Sequence, residues 1–196
     1  MADVPILILA AGRSRRMRGR DKLLEDVDGV PLLRRQALLA LEVSNDVRIA
    51  LPPAPHARDA VISDLALRVV RVADAAEGMG ASLRTLFGTL EDAPRALLLL
   101  ADLPALDASD LAAVLAAPEI APDAKIWRGA TQDGKGGHPM LVDQAVYADF
   151  LALRGDDGGR SIVQAHGAHL VALPGTRARL DLDTPEDWSK WRAGRA

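Results

Sequence analysis

The chain has 196 residues, 49% of them hydrophobic and 26% charged, with a net charge of −3 at pH 7; this is the balance of one folded domain spanning residues 1–196 and excludes a disordered, collagenous or fibrous polymer. The absence of cysteine removes disulfides, thiolate zinc sites, iron–sulfur clusters and cysteine nucleophiles together, and suits a reducing cytoplasm. The apolar runs Val4 to Ala11 and Ala96 to Ala101 fall far short of the ~18 residues that cross a bilayer. Acidic Met1-Ala2-Asp3 stands where a secretory leader would put basic residues, so a cytoplasmic protein without membrane contact is expected.

Charge is unevenly spread. Residues 13–22 hold five arginines, Lys22 and a single Asp21, a local balance of +5 that leaves −8 for the remainder. A basic segment in an acidic protein points to a small anionic ligand, whereas nucleic acid demands a basic face over a whole domain. Six aromatic residues in all leave little with which to stack bases, so no nucleic-acid partner is expected.

Pro5 to Ala11 reads as a first strand buried on both faces. Leucines at 32, 33, 38, 39 and 41 give a helix over Pro31 to Val43, and Val47 to Leu51 a second strand closed by Pro52-Pro53. A helix over His56 to Asp64, a strand at Leu67 to Val72, a helix at Ala81 to Leu90 and a strand at Ala96 to Ala101 complete four βα units. Beyond the helix at Ala108 to Ala117 the rhythm changes. Strands at Lys125 to Ala130 and His138 to Val142 flank a glycine-rich turn; helices follow at Gln144 to Leu153 and Arg160 to His166, then strands at Ala168 to Leu173 and Ala178 to Leu182. Thr184, Pro185 and Asp187 open a last helix as cap, first residue and capping-box partner. The expected class is α/β: a three-layer, Rossmann-like, mostly parallel sheet with helices on both faces and a mixed second half.

Three segments carry candidate chemistry. Leu9-Ala10-Ala11-Gly12-Arg13-Ser14-Arg15-Arg16-Met17-Arg18-Gly19-Arg20-Asp21-Lys22 begins where the first strand ends, the edge at which open α/β sheets bind ligands. Small residues at 10–12 let backbone amides approach a nucleotide, and the arginines and Lys22 can neutralise phosphates. Neither the Walker nor the dinucleotide glycine pattern is present, and a solvated basic loop is the plain alternative. Asp102, after the run Leu97 to Ala101, can hold a cation against phosphates or cap a helix, although Asp107, Ser109 and Asp110 lie nearer the helix start. Asp181 and Asp183 alternate onto one face, and their repulsion calls for a cation or an arginine. Glu77 to Arg84, Gly137-His138-Pro139 and Gly155 to Arg160 read on chemistry alone as a glycine turn, a turn entering a strand and a helix start.

The first segment is similar to the L-A-[AG]-G-x-S-x-R-M-G-x-x-x-K signature of small nucleotidyltransferases, in particular the molybdenum cofactor cytidylyltransferase family, related to the corresponding guanylyltransferases. One position departs: Arg18 stands at the signature glycine, with Gly19 next. Asp102 and Pro104 match that family's D-x-P, residues 181–187 resemble its D-[IV]-D-T-P-E-D, and residues 78–84, 137–139 and 155–160 resemble its G-M-G-x-S-L-R, G-H-P and G-D-x-G-A-R. All six occur in the family's order.

The resemblance implies a nucleotide-diphospho-sugar transferase-like fold. It places Leu9, Ala10, Ala11, Gly12, Arg13, Ser14, Arg16, Lys22, Gly80 and Ser82 about the nucleotide. Lys22, Arg16 and Asp102 become the catalytic group, Asp102 and Asp183 the ligands of Mg2+, and His138, Pro139 and Arg160 the acceptor side. The implied reaction transfers a nucleoside monophosphate from CTP to molybdopterin-bound molybdenum, releasing pyrophosphate, with a molybdoenzyme apoprotein as a further partner. The L-A-A-G form, with Ala11, goes with cytidine and L-A-G-G with guanosine. The same scaffold could instead activate a sugar or alditol phosphate, or serve as a non-catalytic module that hands cofactor on; Lys22, Asp102 and Asp183 together speak against the last.

Overall fold

Strands that are apolar on both faces need a covering layer on each side. In the computed structural model, which describes residues 4–194, β1 (Ile6–Leu9), β4 (Val47–Leu51), β5 (Arg68–Arg71), β6 (Arg95–Leu100), β7 (Ile126–Ala130), β8 (Gly136–Asp143) and β9 (His169–Ala172) form one sheet in the order β5-β4-β1-β6-β8-β7-β9. Met1-Ala2-Asp3 lies outside the described residues. Neighbours are parallel except around β8, which runs antiparallel to both β6 and β7. That single reversed strand is the mixed second half.

Alternation along the central strands divides the interior in two. Ile6, Ile8, Leu97 and Leu99 enter one core, shared with α1 (Leu32–Leu41), α4 (Ala108–Ala116) and Trp188 of α7 (Pro185–Ala193). Leu7, Ala96 and Leu98 enter the other, against α3 (Met79–Phe87), α5 (Tyr147–Ala152) and α6 (Arg160–His166). Phe87 stacks on Phe150 at 4.1 Å and meets Tyr147 edge-on at 5.2 Å, tying α3 to α5. Among the described residues no helix is long and apolar enough to cross a membrane.

Three elements differ from the sequence reading. The hairpin of β2 (Asp26–Val27) and β3 (Val30–Pro31) was not anticipated, although its turn, Asp28-Gly29 with φ of 53° and 85°, is a strong two-residue hairpin signal. The helix expected over His56 to Asp64 shrinks to α2 (Ala57–Ala60). The strand expected at Ala178 to Leu182 does not form: a 3-10 turn covers Arg177–Arg179 and the rest is irregular. Ala178 and Leu182 nevertheless reach the core, at 1% and 2% exposure, so the alternation records burial without specifying a ladder partner.

Candidate active site

From β1 the chain crosses to β4 on one side and later returns through β6 on the other. The ends of β1 and β6 therefore flank a topological switch point, the place where open parallel sheets take ligands. A cleft of about 520 Å³ opens there. Leu9, Ala10, Ala11, Gly12, Arg13, Ser14, Arg16, Lys22, Ser82, Asp102 and Asp183 all line it, with Arg15, Met79 and Asp156 beside them. A second cleft of about 440 Å³ shares Ala11, Gly12 and Arg13 and extends to Pro52, Pro53 and His56.

The loop after β1 is held from inside. Met17 is fully buried, and Asp21 caps the short turn Lys22–Leu24 by accepting from Leu23 N at 3.1 Å. Ser14 Oγ donates to Asp21 at 3.1 Å and accepts from Lys22 N at 3.3 Å. The brace is Arg58, 2% exposed, which the sequence did not single out. Its guanidinium donates to both carboxylate oxygens of Asp21, at 2.7 and 2.8 Å, to Gly12 O at 2.7 Å and to Ala10 O. Burial pushes the Asp21 carboxyl up, but the Arg58 fork outweighs it and the net shift is downward. Arg58 thus turns the carbonyls of the loop inward, leaving Arg13 and Arg15 exposed on the cleft side.

Beyond that loop the charges converge. Lys22 Nζ lies 2.5 Å from Asp102 Oδ2 and 2.6 Å from Asp183 Oδ1, and all three side chains are 14–18% exposed. Arg16 pairs with the other oxygen of Asp183 while remaining 70% exposed. Burial lowers the Lys22 pKa, but Asp102 and Asp183 raise it more, so the amine stays charged. Asp183 is raised by burial and lowered further by Lys22, its neighbour Asp181 and Arg16. Asp181 is held up, first by burial and then by Asp183. Of the two aspartates that called for a cation, Asp183 finds it in Lys22 and Arg16. Asp102 is free to pair with Lys22 because Asp107 and Asp110 form the capping box of α4 themselves.

The remaining motif residues fall elsewhere. Gly80 does not line the cleft; its N–H donates to Gly155 O at 3.0 Å, and a side chain there would stand 2.8 Å from that oxygen. Residues 77–84 and 155–160, read separately in the sequence, thus form one corner together with Arg154, in which Gly155 N donates to Glu77 at 2.8 Å. Arg160 is exposed at the start of α6, outside the cleft walls. His138 and Pro139 enter β8, joined by a cis peptide. Burial and the charge of Arg128 bring the His138 ring down to about 4, against a backbone hydrogen bond at Leu98 and the charge of Asp102, and its Nδ1 has no partner.

This architecture is shared. Rv0371c from Mycobacterium tuberculosis H37Rv superposes with a TM-score of 0.82 at 26% identity, over 96% of this chain and 97% of that one. A crystal structure of Rv0371C in complex with manganese, also from Mycobacterium tuberculosis, gives 0.79 at 25% identity over the same shares of the two chains. CMP:2-keto-3-deoxy-manno-octonic acid synthetase complexed with CTP has the same fold, with a TM-score of 0.77 at 15% identity over 99% of this chain and 98% of that one. None of the curated proteins matches the chain in sequence. The profile of the MobA-like NTP transferase domain covers residues 6–170, from β1 through the first residues of β9, and the chain belongs to that family as an enzyme of the nucleotidyltransferase type.

Proposed function

We propose that the enzyme transfers the cytidylyl group of CTP to the phosphate of molybdenum-bearing molybdopterin, releasing pyrophosphate and passing its product to a molybdoenzyme apoprotein. The observation that carries this reading is the Lys22, Asp102 and Asp183 cluster beneath an arginine-rich loop at the switch point. In the reaction an oxygen of the acceptor phosphate forms a bond to the α-phosphorus of the triphosphate, and the bond to the bridging oxygen of the departing pyrophosphate breaks. Positioning and charge neutralisation dominate such chemistry. Lys22, Arg16, Arg13 and Arg15 supply the positive charge. No general base is needed, because a phosphate monoester with a second pKa near ~6 is largely dianionic at pH 7; the neutral His138 ring takes no proton from it.

The residues fit magnesium. Asp102 Oδ1 is buried without a hydrogen-bond partner, and the donors gathered there are carboxylate oxygens, as a hard cation prefers. Among the described residues no group of three or more acidic or imidazole side chains forms a ready-made cage, which agrees with a metal held by Asp102 and Asp183 and completed by substrate phosphates. When bound, it would screen the charge on the triphosphate. That Rv0371C forms a complex with manganese supports a divalent cation for this enzyme. Lys22 would then turn from the two carboxylates toward phosphate.

Preference for CTP rests on Ala11, 3% exposed and lining both clefts. A single methyl group separates ligands by about 1–3 kcal/mol, so Ala11→Gly should loosen selectivity against GTP without inverting it. Pyrophosphate release, measured with magnesium, each triphosphate and a panel of phosphorylated acceptors, tests the whole reading. Turnover with CTP and the molybdopterin acceptor is expected. A preference for GTP removes the cytidylyl assignment, turnover with a sugar phosphate replaces the acceptor, and silence with every pair leaves a non-catalytic cofactor-handling module.

A further inference from the structure

Arg16, Arg18, Arg20 and Arg58 each answer a carboxylate, and Arg13 and Arg15 open onto the nucleotide side of the cleft; two further arginines, beside β8, also have no carboxylate partner among the described residues. Arg128, half-buried on β7, donates Nε–H to Gly137 O at 2.7 Å. Its guanidinium lies over Gly136, where an added Cβ would stand 3.3 Å from Nη1 and 3.4 Å from Cζ. Arg179 closes the 3-10 turn after β9, and its Cγ lies 2.8 Å from where a Cβ of Gly137 would be. Both side chains therefore converge on Gly136-Gly137: Gly137 leaves no room for a side chain, an added Cβ falling 2.0 Å from Ala178 O, and Gly136 packs tightly against the Arg128 head group. Among the described residues no carboxylate forms an ion pair with either; Asp102 and Asp183 are engaged by Lys22 and Arg16.

The location matters as much as the charge. Because β8 runs antiparallel to β6 with Met140 opposite Leu98, the beginning of β8 adjoins the end of β6 from which Asp102 follows. The nucleotide loop occupies the opposite flank of Asp102, after β1. Two like charges brought together, one half-buried, are unfavourable in the absence of a counter-ion. Burial, and then the charge of Arg179, depress the Arg128 guanidinium, with no carboxylate opposing them. An oxyanion bound between the forks would relieve both costs, and a phosphate matches the planar donor geometry.

We propose that Arg128 and Arg179 receive the phosphate of the acceptor, a phosphate monoester dianion, and present it from the β8 side to a triphosphate held on the β1 side. This rests on the nucleotidyl-transfer reading and names residues that the family motifs do not contain. The acceptor side is thereby shifted from Arg160 to a pair at the start of β8, the strand beside the end of β6; like Arg160, both lie outside the walls of the cleft and would flank it.

The test uses inorganic phosphate as the probe, titrated calorimetrically into the full chain with magnesium and α,β-methylene-CTP filling the nucleotide side. Wild type should bind phosphate; Arg128→Gln and Arg179→Gln should each weaken it about tenfold, while affinity for the CTP analogue stays unchanged. Arg15→Gln should show the reverse pattern. Arg179 is exposed, so its variant keeps the test alive if Arg128→Gln folds poorly. Equal phosphate affinity in wild type and the foldable variants, or no phosphate binding by wild type, overturns the assignment. Failure of the analogue to bind strikes the nucleotidyl reading instead, and the same phosphate titration in an Arg13→Gln, Arg15→Gln background then decides the arginine pair separately.

Discussion

The loop of residues 10–22 and the corner built from residues 77–84 and 154–160 look alike in sequence: both are glycine-marked, and both carry arginines. In the corner Arg84, Glu77 and Asp157 are spent on near neighbours. Arg84 donates to both oxygens of Glu77, at 2.9 and 2.7 Å, and to Leu153 O at 2.7 Å, while Asp157 accepts from Gly159 N and Ser161 Oγ. Arg84 and then Gly155 N hold the Glu77 carboxyl down to about 2. In the loop the order is reversed: Arg58 and Asp21 do the bracing from behind, and Arg13 and Arg15 face the cleft. Donor capacity left open, more than residue type, separates a wall from a ligand-facing surface.

Lys22→Ala against Arg84→Ala is the harshest trial of that distinction. Losing Lys22 should lower kcat/KM about 10²–10³-fold, the usual cost of a lost charge-stabilising donor, with the circular dichroism spectrum unchanged. Arg84→Ala should reduce the melting temperature while keeping kcat within a few-fold of wild type. Comparable losses of turnover in the two variants would erase the difference between loop and corner.

Arg58→Met tests the brace itself. It leaves Asp21 without its counter-ion, a change that costs about 3–5 kcal/mol for a fully buried pair; Asp21 keeps 20% side-chain exposure, so about 3 kcal/mol is expected in urea unfolding. Asp21→Asn in the same chain should recover part of it, and the nucleotide KM should rise in Arg58→Met more than kcat falls. An Arg58→Met chain with wild-type stability and KM would mean that the loop holds its shape unaided.

Why the sequence revealed one half of this site and not the other is a matter of range. The strand ends announce the loop and Asp102 locally, through apolar runs that stop at glycine or aspartate. Arg58 gave no such sign: its partner Asp21 is 37 residues away, and nothing in Ala57-Arg58-Asp59 distinguishes a buried arginine from a solvated one. Lys22 and Asp183 meet across 161 residues; their shared role came from the family resemblance, and the ion pair itself from the structure. Alternation gave Asp181 and Asp183 a common neighbourhood, which they keep, by way of a strand that does not form.

That neighbourhood supplies an opposed pair of expectations. Repulsion alone suggests that removing either aspartate relieves the cluster, but Asp183 is an ion-pair partner of Lys22 and its pKa is lowered, whereas that of Asp181 is raised. A lowered carboxyl contributes stability that is present above its unfolded value of 3.8 and lost as pH falls through the folded one. A raised one costs stability once the unfolded group ionises. Asp183→Asn should therefore lower the metal-free melting temperature at pH 7 and Asp181→Asn raise it, the gap closing as pH falls below 3.8 through the folded value of Asp183. In activity, Asp102→Asn and Asp183→Asn should each need more magnesium for half-maximal rate, and an unaltered titration in both would remove them as ligands.

The smallest effect concerns Arg18, the one departure from the loop signature. Its φ is 53°, so the backbone keeps the left-handed turn that glycine adopts freely while a side chain is strained there by about 1–2 kcal/mol. Arg18 offsets part of this through Glu186 at 2.6 Å, but with 74% and 54% exposure such a pair contributes about 0.5 kcal/mol or less. Glycine also gives the unfolded chain more freedom, which costs about 0.5–1 kcal/mol. Arg18→Gly should consequently gain only about 0.5 kcal/mol, roughly 1–2 °C for a domain of this size. The sharper contrast is with Arg18→Ala, which loses the same ion pair and keeps the strain. Gly should melt above Ala by a few degrees, with kcat/KM for the triphosphate equal in both, because the Arg18 side chain turns toward α7 and away from the cleft walls. Equal melting points would show that the strain only matches the freedom glycine adds to the unfolded chain, a Gly variant melting below Ala that the positive φ carries no strain, and a change in kcat/KM that Arg18 reaches the nucleotide after all.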